Sequence, residues 1–348
     1  MADTQQTVRQ TPRIYRAVTT TPWAIAPAKL AEIGEFIAMR SRGVALDKAE
    51  VQFALDGRPR PERGGDRRPY RLIEGHGVAI IPLYGVILPR ANLLIEFSGG
   101  TSTQLFSQAV EQAVADEEVE TIVLDVDSPG GSVVGVQEAA DTVRWATARK
   151  KVVAVATSQM ASAAYWIGAA AGEVVASPSS QVGSVGVYSL HFDQSRRDEK
   201  EGMKVTVIQR GQYKTDGIPH KRLTEQARNT LQEQVDAYYS MFVHSLAVDR
   251  RVSVATVETD FGQGKTFLAQ QGVLTGMLDR VGTLGGILGE LRRSQAARSP
   301  LATSGRYRTL ANRIRLLEMA RAEGDLSTEA ELDVTKRELA ALESKPRN

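Results

Sequence analysis

The chain has 348 residues, of which 42% are hydrophobic and 24% are charged, proportions typical of a globular protein with a substantial core. A formal net charge of +2 gives none of the basic excess expected of a nucleic-acid-binding protein, and the lack of cysteine excludes a thiolate nucleophile, a cysteine zinc site and a disulfide framework. The four histidines show no metal-ligand spacing, so we expect neither a metal nor a cofactor.

Residues 1–71 are predicted to form an arm before the main domain. The start of the arm is polar and has no long apolar core, so we expect no secretory signal. Apolar residues then recur at helical spacing after Pro27, which predicts an amphipathic helix, and the Arg-, Pro- and Gly-rich stretch 56–71 is predicted to be a connector. The apolar positions of that helix are Leu30, Ile33, Phe36 and Ile37.

Residues 72–290 are predicted to form the main domain, because short β-branched runs alternate with helical patterns. This alternation indicates an α/β fold with a mostly parallel sheet and flanking helices, to which helical N-terminal and C-terminal extensions are added. No apolar run reaches the roughly 18 to 20 residues that span a bilayer, so we expect a soluble protein. The predicted elements are a strand pair or bent strand at 78–88, a helix at 103–115, a strand at 121–125, a helix at 134–148, a strand at 151–156, a helix at 161–171, a strand at 173–177, a helix at 193–201, a strand at 204–208, a loop at 211–219 and a helix at 224–250.

Three polar stretches follow predicted strands: the sequence DSPGGS at 127–132, Ser162, and Lys214. The carboxyl ends of parallel strands lie at one edge of a sheet, so we expect these stretches on the same rim. Ser162 stands between a buried strand and an alanine-rich helix, where backbone N–H groups could stabilise an oxyanion. Taken alone, Ser162 is more simply explained as a small residue packed among alanines or as a helix cap, and the other two stretches favour the functional interpretation.

The glycines at 130 and 131 permit close backbone approach to a bound group, although a plain tight turn explains them equally well on their own. The helix at 224–250 has a wide apolar stripe, which suggests packing against another subunit as well as its own domain. Residues 291–348 show two short helical patterns, which indicate a hairpin or short coiled coil used in assembly or in scaffold interaction.

Four motifs in order, DSPGGS, MASAAYW, GSVGV and GQYKTDG, resemble those of the signal peptide peptidase A-like serine peptidases, which share the ClpP/crotonase fold. The resemblance spans roughly residues 76–290. It implies that Ser162 is the nucleophile and that Lys214 is the base. It also implies that the Ser184 hydroxyl holds the lysine and that Gly130 and Gly131 lie beside the oxyanion.

One departure from the family pattern is Ala163 with Ala164, where many members have two glycines; the Ala163 N–H can still donate to an oxyanion. A lysine base must be largely neutral, whereas an ordinary lysine has a pKa of about 10.4. We therefore expect Lys214 to be buried and to lie away from carboxylates, with Asp216 as the neighbour that could spoil this. The alternative base is His191, in a Ser-His-Asp triad with Asp193 like that of ClpP.

The segments PWAIAP, VAIIPLYGVI and HFDQS resemble the soluble branch of this family encoded by tailed bacteriophages, the head maturation proteases. The resemblance implies a homo-oligomer that acts in the host cytoplasm inside the immature capsid, cleaves scaffold and major capsid proteins, and requires neither nucleic acid nor a membrane. Two alternatives stay open: a soluble housekeeping peptidase with the same site, and a non-enzymatic capsid assembly protein on the same fold.

Overall fold

The structure, a computed structural model, describes residues 22–27, 29–30, 33, 68–73, 75–90, 100–298, 305–322 and 329–343. The chain divides into two compact units, Met1–Leu284 and Gly285–Asn348. The larger unit contains the sheet that positions the candidate site, and the smaller one is helical.

Six strands form the main path of the sheet, in the order β10-β7-β6-β5-β3-β2. Strands β3, β5, β6, β7 and β10 pair in parallel, and β2 is antiparallel to β3. These strands are β2 (Arg71–Ile73), β3 (Val78–Leu88), β5 (Thr121–Ser132), β6 (Lys151–Ala161), β7 (Glu173–Ala176) and β10 (Arg280–Val281).

Four short strands join this path. They are β1 (Trp23–Ile25), β4 (Thr101–Ser102), β8 (Gln181–Gly183) and β9 (Thr266–Leu268). Strand β1 pairs with the end of β5, and β8 continues the sheet beside the end of β6. Both of these short strands therefore lie at the carboxyl ends of the central parallel strands, where α/β sheets bind their ligands.

Helices cover the central strands, whose residues are buried almost without interruption. Those of the larger unit are α1 (Thr103–Ala115), α2 (Val136–Thr147), α3 (Ala163–Ala169), α4 (Ser195–Lys200), α5 (Glu225–Arg250), α6 (Val254–Asp260) and α7 (Ala269–Leu274). Helix α5 begins where the Thr224 side chain accepts a hydrogen bond from the Ala227 N–H at 3.2 Å. Within the described parts of the chain, no helix has the length and apolar character needed to cross a membrane.

The predicted α/β class with a mostly parallel sheet is confirmed. Of the two forms predicted for residues 78–88, the bent strand is the one found, with a bulge between Tyr84 and Val86, where Gly85 has φ 61°. Two details of the prediction were wrong. Strand β5 does not end before DSPGGS but continues through it to Ser132. Residues 204–208, predicted as a strand, are not in a strand.

The predicted N-terminal arm is only partly within the described residues. Pro27, Lys29, Leu30 and Ile33 are helical, whereas Phe36 and Ile37 lie outside the described residues. The end of the predicted connector packs on the domain: Tyr70 is buried and its hydroxyl donates to Asp116 at 2.6 Å. The arm therefore contributes both β1 and this anchor to the larger unit.

The smaller unit consists of helices α8 (Leu284–Arg298), which begins at the boundary, α9 (Gly305–Ala322) and α10 (Glu329–Glu343). Helices α9 and α10 are joined by ion pairs, among them Arg313 with Glu331 at 2.6 Å and Lys336 with Glu318 at 2.9 Å. Leu332 of α10 is buried.

Candidate active site

Ser162 occupies a strained turn between β6 and α3. Its backbone has φ 56° and ψ −119°, a conformation that a residue with a side chain rarely adopts and that is enriched at functional sites. The Ser162 N–H donates to the Gly183 carbonyl at 2.6 Å, and its carbonyl accepts from the Trp166 N–H at 2.9 Å. The side chain is 1% exposed, and its Oγ has no hydrogen-bond partner among the described residues.

Helix α3 holds Ser162 in place because every residue of the helix is buried. The Tyr165 hydroxyl donates to the Met277 carbonyl at 2.8 Å, and burial raises the pKa of this phenol above its ordinary value. The Trp166 ring stacks on Phe242 of α5 with centroids 4.5 Å apart. The start of the helix is thus fixed by contacts on more than one side.

The end of β5 contains two closely packed glycines, of which Gly130 lies beside Ser162. Gly130 has φ 98°, and a Cβ on it would lie 3.0 Å from the Ser162 Cβ. A Cβ on Gly131 would lie 1.9 Å from the Ile87 carbonyl oxygen of β3. Glycine is therefore required at both positions by the close approach of neighbouring backbone or side chain.

Ser128, which the sequence analysis did not single out, fixes this glycine segment. Its fully buried hydroxyl donates to the Gly85 carbonyl at 2.6 Å and accepts from the Gly130 N–H at 3.1 Å. Of the three candidate oxyanion donors, Gly130 lies beside the serine, but its N–H is held by a neighbouring hydroxyl, and Gly131 is the next residue along β5. The third, the Ala163 N–H, belongs to the first turn of α3, where amides lack an intrahelical acceptor.

Ser184 lies close to the nucleophile candidate through the backbone. It follows Gly183, whose carbonyl accepts the Ser162 N–H, and it has a left-handed φ of 55°. Ser184 is 6% exposed and its N–H donates to the Lys265 carbonyl at 2.8 Å. Two buried serines with strained backbones thus stand on adjoining turns at this rim.

Lys214 differs from the expectation of a buried base. The residue is exposed, on a turn where its N–H donates to the Gly211 carbonyl at 3.2 Å, and the predicted burial was wrong for the single chain. The physical reason is that residues 204–208 do not form the strand that was expected to lead the loop onto the rim. The carboxylate of Asp216 accepts from the Thr230 hydroxyl at 3.0 Å, and within the described ranges it forms no ion pair with Lys214.

The alternative triad is not assembled. The Nε2 of His191 lies 3.2 Å from the Ile218 carbonyl oxygen, within hydrogen-bond distance. Asp193 instead accepts from both the hydroxyl and the N–H of Ser195, and these bonds lower the pKa of that carboxyl. His191 and Asp193 therefore hold the chain around α4 and the lysine loop.

A polar group beneath the rim was also missed from the sequence. Asp125 of β5 is 7% exposed and accepts hydrogen bonds from the hydroxyls of Tyr84 and, at 3.0 Å, Thr157. These residues lie on β3 and just before the end of β6, so the carboxylate ties three strands together below Ser162. Within the described ranges, no group of three or more His, Cys, Asp or Glu side chains could hold a metal ion.

Residues 145–298 match Peptidase family S49, a range that contains Ser162, Ser184 and Lys214. Residues 145–298 are therefore similar to the domain of that family, and the parallel sheet and the strained, buried serine agree with this similarity. The resemblance seen in the sequence is confirmed.

The relatives of known name include two phage proteins. The chain is 28% identical to "Capsid assembly protease C" of Escherichia phage lambda over 271 residues, which cover 77% of this chain and 60% of that protein. It is also 28% identical to "Head-tail preconnector protein GP5" of Enterobacteria phage P21 over 249 residues, 70% of this chain and 49% of that protein. "Serine protease SPPA, chloroplastic" of Arabidopsis thaliana is 26% identical over 163 residues, 47% of this chain and 24% of that protein. The chain thus spans between about half and three-fifths of the length of the phage relatives.

Proposed function

We propose that this protein is a serine endopeptidase in which Ser162 attacks the peptide carbonyl and Lys214 acts as the base. The observation that carries the proposal is the Ser162 hydroxyl, which is buried, lacks a hydrogen-bond partner among the described residues and sits on a strained turn within the S49 domain. A hydroxyl in that position is available to a base and a substrate rather than committed to the fold.

In the proposed reaction, the neutral Lys214 amine accepts the Ser162 proton as Oγ bonds to the substrate carbonyl carbon. The resulting oxyanion is stabilised by N–H groups at Gly131 and Ala163, and by that of Gly130 once it exchanges its bond to the Ser128 hydroxyl for the oxyanion. The lysine returns the proton to the leaving amine as the peptide bond breaks, and an acyl-enzyme remains. Water then hydrolyses this ester with Lys214 again as base, which restores the serine.

The base role requires Lys214 to be covered. A base must be uncharged to accept a proton, and burial disfavours the charged form of an amine, so the proposed role requires the lysine loop, which is exposed in the single chain, to lose contact with water. We propose that a second copy of the chain covers the loop in a homo-oligomer. The engagement of Asp216 by Thr230 supports the role, since this carboxylate is not paired with the lysine.

We also propose that the substrates are scaffold and major capsid proteins, cleaved inside the immature capsid of a phage in the host cytoplasm. The similarity to the phage lambda and phage P21 proteins supports this setting. Neither nucleic acid nor a membrane is required for the reaction as proposed. The helical hairpin of the smaller unit is then an assembly or scaffold-interaction element.

The test uses purified full-length protein, a candidate scaffold or capsid protein, and mass spectrometry of the fragments. The dyad predicts that Ser162→Ala and Lys214→Ala each abolish cleavage while His191→Ala retains it. An active Lys214→Ala variant beside an inactive His191→Ala variant would transfer the base role to His191. Fragments that persist with Ser162→Ala, or scaffold removal in phage unaffected by that variant, would contradict the peptidase assignment.

A further inference from the structure

Strand β1 fills a gap in the sheet directly beside Ser162. Strand β5 continues past the last residue of β6, so one edge of its final residues lacks β6 as a neighbour. The other edge of the glycine pair is taken by β3, since Val86 and Ile87 lie opposite Gly130 and Gly131. Strand β1 pairs with these same glycines and must therefore occupy the edge that faces the serine.

The opposite edge of β1 is also occupied. The Trp23 N–H donates to the Tyr188 carbonyl at 2.8 Å, and the Tyr188 N–H donates back to the Trp23 carbonyl at 3.0 Å. The strand is thus inserted between β5 and the chain that follows β8. A peptide that entered this gap as an extra strand would find the backbone groups of β5 and of Tyr188 already hydrogen-bonded to β1.

A carbonyl of β1 lies next to the nucleophile candidate. A Cβ on Gly130 would lie 2.3 Å from the Ala24 carbonyl oxygen and 3.0 Å from the Ser162 Cβ. The Ala24 oxygen and the Ser162 Cβ can therefore be no further apart than the sum of these distances. An extended peptide bound for cleavage places a carbonyl beside the nucleophile in the same manner.

The register of β1 also involves the glycine amides assigned to the oxyanion. The Ala26 N–H donates to the Pro129 carbonyl at 2.8 Å, and the Val133 N–H donates to the Pro22 carbonyl at 3.3 Å. Ala26 therefore forms a hydrogen-bonded pair with Pro129, and Pro22 forms one with Val133. Hydrogen-bonded and non-hydrogen-bonded residue pairs alternate along an antiparallel ladder, so Ala24 and Gly131, which lie midway, also form a hydrogen-bonded pair. The Gly131 N–H then faces the Ala24 carbonyl instead of a substrate.

We propose that β1 is an intramolecular occupant of the peptide groove, which substrate must displace before it is cleaved. The inference rests on the proposed peptidase function. Trp23, Ala24 and Ile25 are 1%, 0% and 2% exposed, so the occupant is held firmly. It also indicates the kind of chain that fits: an extended peptide with a small residue at the position of Ala24 and bulky apolar residues on either side.

The first test compares full-length wild type with Trp23→Ala and Ile25→Ala, using fluorescently labelled denatured casein as substrate. Shortening either anchor raises the fraction of open groove, so we expect cleavage to rise at least about tenfold. Val110→Ala, a truncation of a fully buried residue in α1, is the control for general loss of core packing. Equal or lower rates in both β1 variants would show that the strand supports the site rather than blocks it.

A second test closes the groove reversibly and needs no loss of packing to explain its result. Trp23 and Ser132 face each other as a non-hydrogen-bonded pair of the antiparallel ladder. In such a pair the Cα atoms are about 4.5 Å apart, which is within the range that a disulfide spans. The chain has no native cysteine, so Trp23→Cys with Ser132→Cys supplies its only two thiols. We expect the reduced form to cleave casein and the oxidised form to be at least about tenfold slower, with recovery on reduction.

An oxidised form as active as the reduced one would overturn the inference. The single variants Trp23→Cys and Ser132→Cys, treated with the same oxidant, control for unrelated effects on the site. If the wild type and all released variants show no cleavage that depends on Ser162, the peptidase function itself is contradicted. If the wild type cleaves and release slows it, only the occupant role of β1 fails.

Discussion

Replacement of Gly130 by alanine tests whether the glycine segment must lie against β1 and Ser162. The new Cβ would be 2.3 Å from the Ala24 carbonyl oxygen and would need at least about 0.7 Å of movement to reach the shortest tolerable contact. Overpacking of this kind costs roughly 1–3 kcal/mol, and an alanine at φ 98° adds about 1–2 kcal/mol of backbone strain. We therefore expect Gly130→Ala to lower the free energy of unfolding by about 2–5 kcal/mol.

Gly202→Ala is the matched control, because Gly202 also has a positive φ, 71°, but a Cβ there would meet no atom within 4 Å. It should cost only the backbone strain of about 1–2 kcal/mol. Urea unfolding followed by tryptophan fluorescence suits the comparison, since Trp23, Trp145 and Trp166 all belong to the larger unit. Cleavage by Gly130→Ala should fall at least about a hundredfold, whereas Gly202→Ala should retain it. Equal unfolding midpoints, with full activity in both, would refute the close approach.

Three further outcomes follow from single side chains. Ser162→Ala should leave the free energy of unfolding unchanged or raise it by up to about 1 kcal/mol, because it removes a buried hydroxyl that has no partner among the described residues. Urea unfolding measures this change. A clear loss of stability would mean that the hydroxyl is hydrogen-bonded. Burial alone would raise the pKa of the Asp279 carboxyl, but hydrogen bonds from Arg250 and from a backbone N–H hold this pKa below the ordinary 3.8. The contribution of Asp279 to the free energy of unfolding is therefore present above pH 3.8 and is lost as the pH falls through the folded-state pKa. The stabilities of wild type and Asp279→Asn should thus converge in acid, and a constant difference would contradict the depressed pKa. Trp166→Ala should lower the free energy of unfolding by about 3–5 kcal/mol, because Trp166 is fully buried. Trp145 is 39% exposed, so Trp145→Ala should cost under about 1 kcal/mol. Similar losses in the two variants would contradict the central role of α3.

The sequence was sufficient to predict the elements that bring Ser162 to the glycine segment. Both lie at the ends of neighbouring parallel strands, and the β-branched runs that form those strands are legible in the sequence. The two motifs are far apart in the sequence, and the parallel pairing of their strands brings them together. The order and type of the predicted elements were therefore enough to place both motifs at the same edge of the sheet.

Other features depend on tertiary neighbours that sequence patterns do not reveal. Residues 204–208 have high β-propensity but do not form a strand, and Ile208 is 96% exposed. Strand β1 carries too short an apolar run to be distinguished from the start of the predicted helix. Its pairing with β5 depends on the gap left where β6 turns at Ser162, and that gap exists only in three dimensions.

The two members of the proposed dyad differ in what the single chain supplies. Ser162 is already buried, whereas Lys214 is exposed, so the remaining requirement falls on the lysine. Burial disfavours the charged form of an amine, so the base role requires Lys214 to be covered. A turn in contact with water does not provide that burial, and a covering surface does.

If a second copy of the chain supplies this surface, the activity per subunit must depend on protein concentration. We expect casein cleavage per subunit to rise steeply through the concentration range in which light scattering detects the oligomer. The Gly202→Ala variant, altered outside the site and its loop, should follow the same curve as the wild type. Constant activity per subunit across a range in which monomer converts to oligomer would mean that the substrate or a movement within one chain covers Lys214.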